Sequence, residues 1–253
     1  MSAHPGAVAL VTGSSSGIGN AIARALATLG LTVCLTGRDE CRMREVAREI
    51  ESTSARTLVF KADLSDADEV RGLADALTRE VSRLDILVHA AGLIRLGDVE
   101  SGGWDDLDEQ YRVNLRAPFL LTKALIPLLK ASAGDVVVIN STAALATRAE
   151  HATYGATKHG LRSLADGLRD KLNRDGVRVL SVYPGRVATP MQERVHEFEG
   201  RPYEPASLMQ ASDVAEVVVA SLRLPRRAEV TDIVVRSSTK VPPANAPTRS
   251  PRA

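Results

Sequence analysis

The chain has 253 residues, of which 44% are hydrophobic and 25% are charged; this fits one α/β domain with a buried core and excludes a wholly disordered or fibrous protein. The 32 basic and 31 acidic residues give a formal charge of +1, without the basic excess of a nucleic-acid-binding protein. No apolar run approaches the ~18 residues of a membrane span, no signal peptide is recognisable, and the two cysteines fit neither a disulfide framework nor a metal site. We therefore expect a cytoplasmic protein with no metal, membrane or nucleic-acid partner.

Short apolar strands alternate with amphipathic helices along the chain. The predicted strands cover residues 7–12, 31–36, 58–60, 86–88, 136–140, 177–183 and 230–235. Helical periodicity covers residues 18–29, 43–50, 70–81, 104–131, 161–172 and 212–222, and Gly30 ends the first of these helices. Strands that are apolar throughout and are each followed by a helix indicate a parallel sheet covered on both faces. The sequence predicts a doubly wound (Rossmann) α/β fold with a seven-stranded parallel sheet.

Two segments depart from this alternation. Residues 186–210 contain three prolines and no clean period, which predicts a substrate loop with short helical pieces that closes as a lid. Residues 237–253 contain four prolines, basic residues and no acid, which predicts a flexible tail. A less favoured interpretation of this tail is an arm for an anionic partner. The predicted domain therefore covers residues 1–236.

A glycine-rich turn joins the first predicted strand to the first helix. Gly13 permits a tight turn, Gly17 permits close approach of a pyrophosphate, and Gly19 permits close packing of helix and sheet. The N–H groups and the positive dipole end of the helix would then face the phosphates. The preceding strand and following helix are the context that this motif requires. The predicted cofactor-binding residues here are Gly13, Ser15, Ser16, Gly17, Ile18 and Gly19.

Three residues separate the first two glycines, and this spacing resembles the glycine motif of the short-chain dehydrogenase/reductase family, in its single-domain, non-extended branch. The resemblance covers the chain from residue 7 to about residue 236. It implies hydride transfer between a nicotinamide cofactor and the carbonyl or hydroxyl carbon of a small substrate. It also implies a homo-oligomer, a tetramer or dimer, that would form through the helices predicted at 104–131 and 152–172.

Tyr154 and Lys158 are four residues apart at the start of a predicted helix, so they share one face. A nearby ammonium would lower the pKa of the tyrosine and make it a general acid/base. This spacing is common by chance, but Ser141 lies at the carboxyl end of a strand, where ligands bind in such folds. The resemblance adds Asn114, which would hold a water that links the lysine to solvent. It implies that Asn114, Ser141, Tyr154 and Lys158 are the catalytic residues.

The choice of cofactor depends on the end of the second strand. The resemblance places Gly37 where NAD-preferring members carry an acid, and Arg38 could bind a 2′-phosphate through two hydrogen bonds. NADP(H) is therefore favoured, although Asp39 could pair with Arg38, so NAD(H) stays an alternative. The family pattern also assigns cofactor contacts to Asp63, Leu64, Ala91, Gly92, Pro184, Gly185, Val187 and Thr189.

The chain departs from the family pattern at His89-Ala90, where members usually carry two asparagines that support neighbouring strands. The simplest interpretation of His89 is a histidine that is hydrogen-bonded at a strand end rather than a catalytic one. Substrate-facing segments contain Arg95, Arg148 and Arg186, which could bind an anionic substrate, although the chain is rich in surface arginines. The predicted substrate residues are these three arginines and Met191.

We favour an NADP(H)-dependent oxidoreductase acting on a small polar carbonyl or alcohol, with Tyr154 as the general acid/base. An NAD-preferring alcohol dehydrogenase is one alternative. A second is a dinucleotide-binding sensor without catalysis, which the departure at His89-Ala90 mildly favours and the Ser141–Tyr154–Lys158 set opposes. A nicotinamide-retaining epimerase or dehydratase usually has a larger substrate domain, for which this chain has no room.

Overall fold

The computed structural model describes residues 6–53 and 55–238. Its strands are β1 (Val8–Thr12), β2 (Thr32–Gly37), β3 (Thr57–Lys61), β4 (Ile86–His89), β5 (Asp135–Ile139), β6 (Arg178–Pro184) and β7 (Asp232–Val235). Its helices are α1 (Gly17–Ala27), α2 (Glu40–Glu51), α3 (Ala67–Glu80), α4 (Asp106–Tyr111), α5 (Ala117–Ser132), α6 (Ala152–Leu172), α7 (Pro190–Phe198) and α8 (Ala211–Leu222). The strands form one parallel sheet in the order β3-β2-β1-β4-β5-β6-β7, which confirms the predicted fold class.

The sheet is buried because its strands present apolar side chains to both faces. Along β1, Ala9 and Val11 pack into one hydrophobic cluster, with α1, α2 and α8, whereas Val8 and Leu10 pack into the other, with α3, α5 and α6. This alternation is the period of two expected of a strand. The two clusters anchor the sheet between layers of helices, so the positions of the strand ends are well defined.

The helix predicted over residues 104–131 differs from the structure. Trp104 lies before α4 and is fully exposed, and a π-helical turn, Arg112–Arg116, separates α4 from α5. Pro118 has no N–H to donate to the carbonyl of Asn114, so the regular α-helical hydrogen bond cannot form there. The wider turn contains Asn114 itself. The bounds of the predicted strands shift by at most two residues, most at β7, which begins at Asp232 rather than at residue 230. Among the other helices the largest shift is at α6, which begins at Ala152 rather than at residue 161, where the apolar periodicity begins.

The carboxyl ends of the central strands lie side by side. Thr12 is paired with Thr36 of β2, His89 of β4 with Val138 of β5, and Ile139 with Val182 of β6. The chain continues from β1 to β2 on one side, whereas β4 lies on its other side, so the loops after β1 and β4 diverge and open a crevice. Within residues 6–53 and 55–238, no helix has the length and apolar character needed to cross a membrane. The predicted tail lies outside the described residues, except for its first two.

His89 is buried at the end of β4, and its Nε2 lies 2.7 Å from Oγ1 of Thr122 on α5. The structure therefore confirms a hydrogen-bonded histidine at a strand end. Burial lowers its pKa from 6.5 to about 4, because the charged ring would lose its hydration. The folded protein thus keeps this imidazole neutral at pH values where the unfolded chain protonates it.

The free energy of unfolding should consequently decrease as the pH is lowered from the unfolded pKa of 6.5 to the folded pKa of about 4. From pH 7 to pH 5 we expect His89 to account for a loss of about 2 kcal/mol in the free energy of unfolding. His89→Asn replaces the ring with a polar group that does not titrate. Between pH 7 and pH 5 the variant should therefore lose about 2 kcal/mol less of its free energy of unfolding than the wild type loses. Urea unfolding of both proteins at the two pH values measures the difference, and equal losses would contradict it.

Candidate active site

A cavity of about 650 Å³ lies along the carboxyl edge of the sheet, between the loops that follow β1 to β6. Its walls contain nearly all the residues that the sequence predicts for the site. Only Asn114 and Arg95 among them do not line it. The predicted residues that line it are Gly13, Ser15, Ser16, Gly17, Ile18, Gly19, Arg38, Asp63, Leu64, Ala91, Gly92, Ser141, Arg148, Tyr154, Lys158, Pro184, Gly185, Arg186, Val187, Thr189 and Met191.

The glycine-rich turn fits so closely that side chains are excluded from it. Gly13 has a φ of +67°, and a Cβ there would lie 2.8 Å from the Cα of Ala91. A Cβ at Gly19 would lie 2.4 Å from the carbonyl oxygen of Gly13. The N-cap residue of α1, Ser16, makes no side-chain capping bond, and the first turn carries no acid. The amino end of α1 therefore presents N–H groups and a positive dipole end to the cavity.

Thr12 supplies the cross-strand support that His89 and Ala90 cannot. Its hydroxyl donates to the carbonyl of Val88 at 3.2 Å and accepts from the N–H groups of Ala90 and Ala91 at 3.0 and 3.1 Å. The ring of His89 bonds instead to α5. Although His89 and Ala90 replace the two asparagines of the family pattern, the loop after β4 is therefore still hydrogen-bonded to the end of β1.

At the end of β2, two arginines line the cavity. Asp39 accepts a hydrogen bond from the N–H of Arg42 and thereby caps α2, and its carboxylate lies 3.9 Å from the guanidinium of the same residue. Asp39 therefore does not pair with Arg38, an alternative that the sequence left open. On the other side of β2, Asp63 lines the cavity, and its carboxylate also accepts from the N–H of Ser65.

Ser141, Tyr154 and Lys158 meet in the middle of the cavity wall. Tyr154 and Lys158 are 8% and 3% exposed, and the ammonium lies 5.7 Å from the centre of the phenol ring and 3.2 Å from the carbonyl oxygen of Ile139. Burial raises the pKa of Tyr154 to about 12, and the nearby hydroxyl of Ser141 opposes this rise. Burial lowers the pKa of Lys158 to about 8. The tyrosine pKa expected to be lowered by the ammonium is thus raised, because loss of hydration dominates.

Asn114 lies behind this wall. Its side chain accepts a hydrogen bond from the N–H of Leu93 and donates to the carbonyl of the same residue, both at 2.8 Å. It also donates to the hydroxyl of Thr157 at 3.0 Å. A Cβ at Gly92 would lie 3.7 Å from the Asn114 side-chain oxygen and 3.9 Å from the Lys158 nitrogen, so these groups are close neighbours. Asn114 fixes the loop after β4 against α6, and its relay role stays a prediction.

The predicted substrate loop is attached to the body of the protein at several points. Val187 and Met209 form a parallel bridge, and the hydroxyl of Tyr203 donates to the carbonyl of Thr189. Thr189 in turn caps α7 and lies against Gly17, where a Cβ would meet its methyl group at 3.1 Å. The loop therefore connects the glycine-rich turn to the catalytic end of the cavity.

The three arginines predicted to surround the substrate are not equivalent. Arg95 lies outside the cavity lining, and its guanidinium bonds to Glu109 at 2.7 and 2.8 Å. Arg186 lines the cavity but forms two hydrogen bonds with the carboxylate of Glu199, at 2.8 and 2.5 Å. Arg148 lines the cavity without a carboxylate in ion-pair distance among the described residues. The structure therefore places Arg148 and Arg186 in the wall of the same cavity and Arg95 outside it.

Sequence reasoning missed several residues that build or line the site. The structural role of Thr12 could have been suspected from its place at a strand end. Gln192 and Arg194 line the cavity from α7, a helix within the segment that was predicted to be a loop with short helical pieces. His151 is the N-cap residue of α6, three residues before Tyr154, and also lines the cavity. This spacing was the available signal for His151.

Comparison with known proteins gives consistent matches. A family model described as short chain dehydrogenase matches residues 7–200. An uncharacterized oxidoreductase of Staphylococcus saprophyticus is 32% identical over 231 residues, covering 90% of this chain and 96% of that protein. An alcohol dehydrogenase from the archaeon Thermococcus sibiricus, complexed with 5-hydroxy-NADP, has a TM-score of 0.85 at 28% identity, covering 94% of this chain and 99% of the other. A metagenomic short-chain oxidoreductase in complex with NADP is 32% identical, with a TM-score of 0.79 and coverage of 92% and 98%.

The packing of Gly19 can be tested directly. In Gly19→Ala the new methyl group meets the Gly13 carbonyl oxygen, so the turn or α1 must move. We expect the dissociation constant for NADPH, measured by cofactor fluorescence, to rise about 10-fold or more. Gly72→Ala in α3 is the matched control, because its Cβ would meet nothing within 4 Å. It should leave cofactor binding unchanged, and unchanged binding in Gly19→Ala would contradict a role of this turn in holding phosphates.

Proposed function

The chain belongs to the short-chain dehydrogenase/reductase family, and from this premise we propose that it is an NADP(H)-dependent oxidoreductase of small polar carbonyl compounds or alcohols. The observation that carries the proposal is the buried group of Ser141, Tyr154 and Lys158 in the wall of the same cavity as the glycine-rich turn. A protein that only binds a dinucleotide has no need for a tyrosine and a lysine buried together, because burial of both groups is costly.

The cavity suits a phosphorylated dinucleotide. The glycine-rich turn and the amino end of α1 would bind the pyrophosphate. Asp63 would accept a hydrogen bond from the adenine, and Val187 and Thr189 would contact the nicotinamide amide. Arg38 lies at the end of β2 with no acid paired to it among the described residues, and Arg42 is its neighbour in the cavity wall. Bound there, the nicotinamide would supply or accept the hydride.

The chain's own residues would handle the proton. With a pKa of about 12, Tyr154 holds its proton at neutral pH and is ready to donate it to a carbonyl oxygen. Ser141 lines the cavity and acts on the pKa of the phenol, and its hydroxyl would hold that oxygen beside the tyrosine. Lys158, with a pKa of about 8, is mainly protonated at neutral pH, and its charge would stabilise the phenolate that forms. A protonated tyrosine beside a protonated lysine is the state from which reduction of a carbonyl would begin.

The predicted homo-oligomer stays a prediction. Leu107 and Tyr111 on α4 and Phe119 on α5 are exposed apolar side chains in the region that the sequence assigned to subunit contacts. Sedimentation would test it.

The assignment of the 2′-phosphate to Arg38 predicts a change in cofactor preference. The wild-type protein should bind NADPH more tightly than NADH. Arg38→Gln removes a charge-assisted contact and should weaken NADPH binding about 10- to 100-fold with little effect on NADH. Arg44→Gln is the control, because Arg44 bonds to Glu40 on α2 and does not line the cavity. Tighter binding of NADH by the wild type would favour the NAD-dependent alternative.

The assignment of the proton to Tyr154 predicts a loss of catalysis without a loss of binding. Tyr154→Phe should lower kcat for carbonyl reduction about 10²- to 10⁴-fold and leave NADPH affinity within about 2-fold. Tyr111→Phe, at a half-exposed tyrosine of α4, should leave both unchanged. Tight NADPH binding with no turnover of any carbonyl by the wild type would favour the dinucleotide-binding sensor instead.

A further inference from the structure

The cavity is strongly basic. Among the described residues, the acid that lines this cavity is Asp63 alone. The cationic side chains that line it are Arg38, Arg42, Arg148, Arg186, Arg194 and Lys158. The phosphates of the proposed cofactor would balance the cations at the end of β2. The cations at the catalytic end need a separate explanation, since Lys158 serves the tyrosine and Arg186 is already paired with Glu199.

Arg148 remains without such an explanation. It lies in the loop between Ser141 and α6 and lines the cavity. Its neighbour is His151, whose pKa is lowered mainly by burial and responds also to the charges of Glu199, Arg186, Glu150 and Arg148. The imidazole therefore tends to be neutral near pH 7 and can donate one hydrogen bond, while Arg148 supplies the charge.

The position of this pair relative to the reaction is set by α6. His151 is the N-cap residue of α6 and comes three residues before Tyr154. Both side chains line the cavity. A group held by Arg148 and His151 would therefore belong to the substrate, a few bonds from the carbon that reacts.

We propose that Arg148 and His151 form an anion subsite, and that the substrate is a small carbonyl compound, or its alcohol, bearing a carboxylate. This inference rests on the proposed function and narrows its substrate class. The planar guanidinium matches a carboxylate through two parallel hydrogen bonds, which a neutral substrate would not use. The pairing of Arg186 with Glu199 leaves Arg148 and Arg194 in the cavity wall without an acid in ion-pair distance among the described residues, and Arg148 is the one of the two whose charge acts on His151.

The test compares two substrates of equal chain length, 4-oxobutanoate and butanal, with NADPH as the reductant. The wild type should reduce the anionic aldehyde with a kcat/KM about 10-fold or more above that of butanal. Arg148→Gln should lower kcat/KM for 4-oxobutanoate about 10-fold or more, mainly through KM, and leave butanal within about 2-fold. Arg148→Lys should recover part of the loss, because it restores the charge without the planar geometry.

Arg79→Gln, on the outer surface of α3, is the matched control and should change neither substrate. The subsite is wrong if the wild type does not prefer the anionic aldehyde, or if Arg148→Gln affects both aldehydes equally. A loss confined to Arg194→Gln would also overturn it, because the selecting cation would then lie on α7. In each of these cases reduction of butanal would leave the proposed function standing.

If neither aldehyde is reduced although NADPH binds, the oxidoreductase proposal fails and the subsite is judged by binding alone. Calorimetry then measures the affinity of succinate for the NADPH complex. A dissociation constant that rises about 10-fold in Arg148→Gln would support the subsite. The absence of succinate binding, or equal binding by wild type and variant, would overturn it.

Discussion

The contact of backbone with backbone at the end of β1 determines the arrangement of the whole site. Gly13 lies against Ala91, and Gly19 lies against the carbonyl of Gly13, at distances that no side chain could share. The hydroxyl of Thr12 holds the same place by bonding to three backbone groups of the segment from Val88 to Ala91. These contacts keep the crevice between β1 and β4 open at one width, and the loop after β4 then carries Gly92 to the neighbourhood of Lys158.

Burial of the reacting groups has opposite effects on a phenol and an ammonium. It raises the pKa of Tyr154 and lowers that of Lys158, so two pKa values that are close together in water move apart. Burial alone makes the phenol of Tyr154 a weaker proton donor than it would be in water, so catalysis depends on groups that stabilise the phenolate as it forms. Here the ammonium 5.7 Å from the ring centre and the hydroxyl of Ser141 are already oriented before the proton moves. Orientation in advance is the main way in which such charges assist a reaction.

Local patterns in the sequence predicted the parts of the fold that depend on local physics. Apolar runs predicted the strands, because a strand that is buried on both faces carries apolar side chains at successive positions rather than alternating apolar and polar ones. The glycine spacing predicted the turn after β1. The partners of individual side chains were not predictable in this way. Arg95 pairs with Glu109 and Arg186 with Glu199, and in each pair the arginine lies in a loop whose path brings it to an acid 14 or 13 residues further along the chain. Which arginine keeps its charge available is therefore a property of the folded chain.

The segment from Val187 to Met209 links recognition of cofactor and substrate. Thr189 lies against Gly17 of the glycine-rich turn, Met191 approaches Gly92, and Glu199 neutralises Arg186 in the cavity wall. Tyr203 fixes the carbonyl of Thr189, and its ring packs edge-on against buried His196 at 5.5 Å between ring centres. A shift of α7 would thus move contacts at the glycine-rich turn and at the catalytic end together. Because Glu199, which neutralises Arg186, belongs to the same segment, the position of this segment determines both the shape and the charge of the cavity wall around Arg186.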